Sequence, residues 1–249
     1  MKLLRSILAA FLIAGSTTLF ADTLSISAGA GIWQETPSGE FRDVNTTAFS
    51  VTDDLFWSQE NQNYFFITFE HPVPILPNIR LSSVKIDQTG SGLLTKQITI
   101  GGIDYGTVNE NITNSFSLDQ KDITLYYEIL DNVVSVDLGL NVKIANVDYS
   151  ISGELSGSDS GSFSTTIPML YALVGVSPIP DLILSLEGSA IGYDGSSITD
   201  FNAKIAYTTN YFVGLEAGYR AQTFKFDEIS GYTSNLEFKG PYAGLYVKF

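Results

Sequence analysis

The chain has 249 residues, of which 44% are hydrophobic and 16% charged, and this hydrophobic content excludes a disordered chain. Cysteine is absent, which excludes disulfides, thiolate metal sites and a lipid-anchored cysteine. The formal net charge of −14 argues against nucleic acid as a partner, because phosphate repels an acidic surface. The single histidine leaves little room for most hydrolase mechanisms.

Residues 1–21 have the pattern of a secretory signal peptide. Lys2 and Arg5 precede a short apolar run over 7–14, and small residues lead to a predicted cleavage site after Ala21. A membrane anchor is the alternative, but the run is shorter than the roughly 20 residues that a spanning helix needs. Cleavage removes two bases and no acid, so the net charge moves from −14 to −16. Residues 22–249 are the predicted mature domain.

The mature chain alternates apolar and polar residues in repeated segments. Over 134–144, for example, six aliphatic residues share one face, and serine, asparagine, glycine and charged residues share the other. The pattern predicts an all-β protein with ten strands, at 23–34, 62–71, 79–89, 121–130, 133–146, 163–176, 182–193, 199–209, 211–224 and 236–249. The sixth strand is apolar on both faces, so its orientation stays open. Eight strands are the alternative, since the first and third are weakly defined.

The connections between these strands alternate in length. Short ones at 71–78, 131–132, 177–181 and around Asn210 separate longer polar ones, which include 35–61, 90–120 and 147–162. This asymmetry is typical of an antiparallel transmembrane up-and-down β-barrel with tight periplasmic turns and longer outer loops. A soluble β-sandwich also alternates. Apolar faces of 9–11 residues favour the barrel, as do aromatics near strand ends, namely Phe65, Tyr127, Tyr171, Tyr207, Tyr211, Tyr219 and Phe249.

The last strand, 241–249, resembles the C-terminal strand of bacterial outer-membrane barrels. Ala243, Leu245, Val247 and the terminal Phe249 share one face. The resemblance implies that Phe249 is an assembly signal, read by the barrel-assembly machinery. It also implies the cell outer membrane as the location, with outer-membrane lipid and lipopolysaccharide as surroundings. We expect a monomer.

Three segments resemble a family of uncharacterised proteobacterial outer-membrane β-barrels that is named for a Gly-Gly motif. They are Glu70-His-Pro-Val-Pro-Ile-Leu-Pro-Asn78, Tyr126-Tyr-Glu-Ile-Leu-Asp-Asn132 and Asp137-Leu-Gly-Leu-Asn141, with Gly101-Gly102 as the match to the motif. The resemblance covers the whole mature chain. It implies an outer-membrane barrel and carries no established activity.

If the apolar faces point to lipid, nine charged residues point into the lumen. They are the acids Glu70, Glu128, Asp137, Glu187 and Glu216 and the bases Arg80, Lys143, Lys204 and Arg220. Five acids against four bases predict a salt-bridged, largely filled interior, because unpaired buried charge is costly. The alternative is that some of these charges line a narrow path for ions or solutes.

No catalytic residue, cofactor or metal site is predicted. Outer-membrane proteases and lipid-modifying enzymes need a histidine near the outer rim, whereas His71 lies in a short predicted periplasmic turn. The adjacent carboxylates Asp53 and Asp54 are interpreted as a solvated acidic loop. Calcium binding at Asp53-Asp54, at 119–122 or at 158–160 would be weak, because none has the spacing of an EF-hand loop.

The leading hypothesis is therefore a non-enzymatic structural or surface-interaction barrel, whose loops 35–61 and 90–120 meet the outside. A narrow channel or a carrier for small solutes or hydrophobic molecules is the second hypothesis. An outer-membrane hydrolase is the third.

Overall fold

The computed structural model describes residues 24–43, 47–229 and 232–249. The predicted signal peptide and its cleavage site lie outside these residues. Among the described residues no helix is long and apolar enough to cross a membrane. Thirteen strands are described, all antiparallel to their partners: β1 Ser25–Asp43, β2 Phe49–Ser50, β3 Glu60–Glu70, β4 Asn78–Leu94, β5 Ile98–Ile100, β6 Ile103–Tyr105, β7 Glu110–Asp131, β8 Val134–Gly153, β9 Gly157–Ile179, β10 Leu182–Tyr193, β11 Ser196–Thr208, β12 Val213–Ile229 and β13 Tyr232–Lys248.

Ten of these strands close into a barrel. Each pairs with its neighbour in the order β1, β3, β4, β7, β8, β9, β10, β11, β12, β13, and β13 pairs back with β1 from Ser27–Lys248 to Asp43–Tyr232. The prediction of an all-β, ten-stranded, up-and-down antiparallel barrel is confirmed, and the eight-stranded alternative is wrong. The short strand β2 adds to β1, and β5 and β6 form a separate hairpin.

The barrel has two different ends. Four short connections and both described chain ends lie at one end, here called the turn end; the connections are 71–77, 132–133, 180–181 and 209–212. The other end, here called the loop end, carries the connections 44–59, 95–109, 154–156, 194–195 and 230–231. The alternation expected from the sequence is therefore present, but its loops are much shorter than predicted.

The predicted long loops 90–120 and 147–162 are mostly strand, and nearly half of 35–61 is strand as well. β1 continues to Asp43, β4 to Leu94, β7 begins at Glu110, and β8 and β9 meet at a turn of three residues. The reason is that the apolar residues change from the outward to the inward face along the strand. In β7, lipid-type residues such as Ile123 and Leu125 point outward near the turn end, whereas Ile112 and Leu118 point inward near the loop end. Apolar and polar residues still alternate, but the apolar residues now lie on the inner face. A search for apolar outer faces therefore misses this part of the strand.

The outer surface is apolar only in the half near the turn end. Its exposed large residues there include Ile32, Phe65, Ile67, Leu81, Ile123, Leu125, Leu138, Leu140, Leu170, Val174, Leu186, Phe201, Ile205, Leu215 and Leu245. Beyond this apolar band most outward positions are hydroxyl, amide or charged, as in β7, where they run Asn111, Thr113, Ser115 and Ser117, and Leu93 of β4 is an exception. Tyr171 does not belong to this surface. It points inward and is 8% exposed, which corrects its predicted place in an aromatic girdle.

The wall is uneven in height at the loop end. β7 has 22 residues and β9 has 23, so each runs for about 70 Å along its own length, but β10 has 12 residues and spans about 40 Å. The β10–β11 hairpin turns at Asp194-Gly195, where both residues have positive φ as a two-residue hairpin turn requires. The wall therefore has a notch beside β9.

Candidate functional site: the barrel interior

All nine charged residues predicted for the lumen lie on inward-facing strand positions, together with acids that the sequence count omitted. Asp122 and Asp200 belong to this set, and both sit at the centre of the ion-pair network. Each is the second residue of a predicted strand, 121–130 or 199–209, on the face opposite its apolar residues. The predicted alternation therefore already directed both inward, and the count of lumen charges left them out. Among the described residues of this half, the lumen thus holds at least seven acids (Glu70, Asp122, Glu128, Asp137, Glu187, Asp200, Glu216) against five bases, because Lys248, which lies 3.7 Å from Glu70, joins the four predicted ones.

One cluster of these charges, the ionic layer, is defined here by Asp122, Lys143, Asp200 and Arg220 with Gln120, Asn141 and Gln222. Lys143 Nζ lies 2.9 Å from Asp122 Oδ2 and 3.4 Å from Asp200 Oδ2. Arg220 donates to both oxygens of Asp200, at 3.0 and 2.7 Å. The carboxamides of Gln120 and Gln222 bond each other across the lumen and donate or accept at the same charges. Four strands are joined in this way, because β7, β8, β11 and β12 each supply a member.

A second cluster surrounds Glu187 beside the ionic layer. Arg80 donates to its two carboxylate oxygens at 3.3 and 3.0 Å, and Asn202 donates at 2.9 Å. The Arg80 guanidinium also lies 5.0 Å above the ring of Phe66, and Arg220 lies 5.2 Å above Trp33. Both arginines are thus held from one side by carboxylate and from the other by an aromatic face.

The space left between these clusters is small. A cavity of about 80 Å³ is lined by residues that include Tyr64, Glu216, Asn202 and Tyr242. Tyr64 donates to Glu216 at 2.6 Å, while the hydroxyl of Tyr242 and Oδ1 of Asn202 have no protein partner. At roughly 30 Å³ each, two or three water molecules fill such a space and satisfy these groups.

An aromatic plug closes the lumen above the ionic layer, toward the loop end. It consists of Trp33, Phe49, Trp57, Phe116, Phe224 and Phe238, with aliphatic residues around them. Trp57 lies 5.0 Å from Phe116, and Phe116 stacks on Phe238 at 6.2 Å between ring centroids. The indole N–H groups are satisfied, by Gly240 O for Trp33 and by Asn114 Oδ1 for Trp57. Only charged residues were named for the interior from the sequence, so this apolar filling was not predicted.

The first loop supplies much of this plug, since it folds into the barrel. Phe49, Val51, Leu55 and Trp57 are all buried. Asn114 donates to Leu55 O at 2.8 Å, and β4 comes so close that a Cβ at Gly90 would lie 1.7 Å from that same oxygen. The predicted role of 35–61 as a loop extending to the outside is therefore wrong for the segment 49–57.

Glu110 fastens two further connections of the loop end, 95–109 and 154–156, well outside the apolar band. It accepts hydrogen bonds from the Ser156 hydroxyl and from the N–H groups of Gly106, Leu155 and Ser156. These donors lower the pKa of Glu110 to about 2, so it stays ionised at any physiological pH. Beside it, the β5–β6 hairpin turns at Gly101-Gly102, whose positive φ values of 59° and 77° explain the glycine pair.

His71 lies at the turn end, in the connection between β3 and β4. Its Nε2 lies 3.2 Å from Pro77 O, and its Nδ1 accepts from Val73 N at 3.2 Å. Both ring nitrogens are thus engaged in holding the proline-rich turn. The ring is separated from the loop end by the whole lumen, so it has no carboxylate or hydroxyl partner there with which to form a hydrolytic site.

The carboxylates in the segments considered for calcium binding point in different directions or bond other groups. Asp54 accepts from Ser50 N and from Lys96, whereas Asp53 is exposed. Asp119 points outward and Asp122 inward, and Asp159 accepts from Tyr149. Among the residues that the structure describes, no three histidine, aspartate or glutamate side chains are grouped to hold a metal ion.

No family model matches the chain, and no curated protein matches it. Among solved structures, it is similar to the outer membrane protease OmpT of Escherichia coli, with a TM-score of 0.56 and 12% identity over 94% of this chain and 99% of that one. The translocator domain of the autotransporter NalP of Neisseria meningitidis gives 0.45, with 10% identity over 98% and 95% of the two chains. The transport unit of AIDA-I of Escherichia coli gives 0.42, with 11% identity over 98% of both chains. At such identities, the OmpT similarity shows a shared barrel fold and does not extend to activity.

Proposed function

We propose that this chain is a non-enzymatic outer-membrane barrel with a sealed lumen, which presents its polar loop-end wall outside the cell for interaction with a partner. The observation that carries the proposal is the double closure of the interior. The ionic layer and the aromatic plug lie in series, and the cavity between their side chains measures about 80 Å³. A lumen that is closed by two layers suits a barrel whose role is to hold the loop-end wall in place.

The outer surface supports the membrane part of the proposal. The apolar band surrounds the barrel near the turn end. Aromatic side chains lie at both of its margins, such as Tyr127, Tyr207 and Phe249 on the side of the turn end and Phe65 and Tyr219 on the side of the loop end. A band of this kind flanked by aromatics suits a lipid bilayer. The wall above it has polar outward positions, which suit water.

The terminal strand fits the proposed role of Phe249 in assembly. Phe249 exchanges backbone hydrogen bonds with Ile26 at 2.9 Å, so it closes the seam between β13 and β1. Its ring stacks on Phe212 at 5.8 Å and is 69% exposed. An exposed terminal aromatic is available to the assembly machinery before the seam closes.

The orientation can be tested with protease sites inserted at each end. A site after Leu155, in the β8–β9 turn, should be cut on intact cells, and a matched site after Asn132, in the β7–β8 turn, should be cut only after the outer membrane is opened. The reverse pattern, or recovery of the protein in the soluble periplasm, would contradict the proposal.

The closure can be tested in planar bilayers. The purified protein should give no reproducible current, because neither layer leaves a continuous water path. A steady, ion-selective conductance would instead support the channel hypothesis.

A further inference from the structure

The upper half of β9 has a free edge. β9 pairs with β8 from Val134–Val176 to Gly153–Gly157 at the rim of the loop end, but its pairing with β10 ends at Leu170–Ala190. Among the described residues, no strand pairs with 157–169 on that side. Here this segment is called the β9 edge.

Pro168 explains where the pairing stops. Ser177 N donates to Val133 O, and the β8–β9 register continues without a shift, so odd-numbered residues of β9 bond β8. Even-numbered residues therefore direct N–H and C=O toward β10. The pair after Leu170–Ala190 would be Pro168–Gly192, and proline has no N–H to give.

The donors on the β9 edge include the N–H groups of Ser160, Ser162, Ser164 and Thr166. Their side chains are small, and all four are exposed. The usual protections of an edge strand are lacking from 160 to 166, since this segment has no charged side chain, no proline and no bulge. Nothing in the segment hinders an approaching strand.

The side chains around the notch indicate the chemistry of a partner. Phe163 points inward and is 57% exposed, and Tyr193 across the notch is 84% exposed. Asp148 lies opposite Ser162 on the outer face, Asp194 occupies the hairpin turn, and Asp227 lies against Gly195 beside it. Lys225, opposite Ser197 in the ladder, is the base nearest to this turn along the β11–β12 pairing. The notch thus combines apolar contact with negative charge.

A second copy in the same membrane does not fit. Two such barrels have parallel axes, and a two-fold axis along the membrane normal makes their β9 strands cross at about twice the strand tilt, or roughly 70–90°. Antiparallel edge pairing needs nearly opposite directions.

We propose that the β9 edge binds an extended peptide segment of another protein by strand addition, and that this segment carries alternating basic and apolar residues. Its main chain would bond the even-numbered residues 160–166, and its apolar side chains would pack against Phe163. The proposal names the class of partner for the surface-interaction role. It rests on the proposed function, because the β9 edge must lie outside the cell to meet this partner.

The test measures peptide binding to the full chain in zwitterionic detergent. The probe is a fluorescent ten-residue peptide that alternates Lys and Val, and we expect it to bind, while a version N-methylated at every second residue should not. Ser162→Pro removes one edge donor without touching the β8 ladder, and it should weaken binding at least tenfold. Ser162→Ala keeps the donor and should leave binding unchanged.

A second variant guards against misfolding of Ser162→Pro. Pro168→Val supplies the missing donor, lets β10 continue along β9, and should also weaken binding by narrowing the notch. Equal binding of the N-methylated peptide, or unchanged binding to both variants, would overturn strand addition, and equal binding of an Asp–Val peptide would overturn the charge preference. If the barrel conducts ions and binds the peptide, the result contradicts the proposed function and not the strand addition. If it gives no current and does not bind the peptide, the result contradicts the strand addition and not the proposed function.

Discussion

At the residue scale, the interior depends on charges that satisfy one another. Lys143 is 1% exposed and joins Asp122, Asp200 and Gln120, so its removal leaves two carboxylates short of a cation. Removing one partner of a buried ion pair is costly because the remaining charge stays away from water. Arg220 still neutralises part of Asp200, which makes Asp122 the residue most affected.

Lys143→Met should therefore destabilise the barrel by about 3–5 kcal/mol, since it uncouples a buried pair. Lys85→Met is the matched control, because Lys85 pairs with Asp87 at 2.9 Å with both side chains about half exposed, and such a pair contributes roughly 0–1 kcal/mol. The free energy of unfolding in urea, measured in phospholipid vesicles, compares the two. Similar losses for both variants would show that the ionic layer is not the stabilising element.

At the scale of elements, the sequence predicts the strands where lipid-type residues face outward. The segment 134–144 was found because Val134 through Ile144 alternate with polar residues, and the structure keeps that face outward. The continuation of β7 through 110–120 was missed because its apolar residues turn inward there. Alternation alone does not say whether lipid, water or the barrel interior lies on each side. Predicting where the apolar residues turn inward therefore requires the positions of the partner strands and of the folded first loop.

The inward fold of 49–57 gives the element-scale prediction. Gly90→Ala places a Cβ 1.7 Å from Leu55 O, and because the obstacle is backbone, the loop must move. We expect Trp57 to become exposed, with a red-shifted fluorescence emission in a variant that lacks Trp33, and the segment to become sensitive to protease. Gly192→Ala is the control, since its nearest neighbour would be 3.7 Å away. Unchanged emission in Gly90→Ala would mean that the loop does not depend on this close approach.

At the scale of the whole molecule, two closures in series make the lumen resistant to single changes. Replacing Trp57, Phe116 and Phe238 by alanine opens the aromatic plug but leaves the ionic layer in place. Replacing Asp200 and Arg220 by alanine opens part of the ionic layer but leaves the plug. We expect each variant alone to stay silent in planar bilayers and their combination to conduct.

The combined variant should also prefer cations. Loss of Asp200 and Arg220 leaves at least six acids against four bases on the lumen-facing positions of the half near the turn end, and an excess of carboxylates in a narrow pore attracts positive ions. The reversal potential in a salt gradient measures this preference, and thermal unfolding checks that the combined variant still folds. A current in either single-layer variant would show that one layer alone closes the lumen. Anion preference of the combined variant would show that the remaining bases, rather than the acids, set the potential inside.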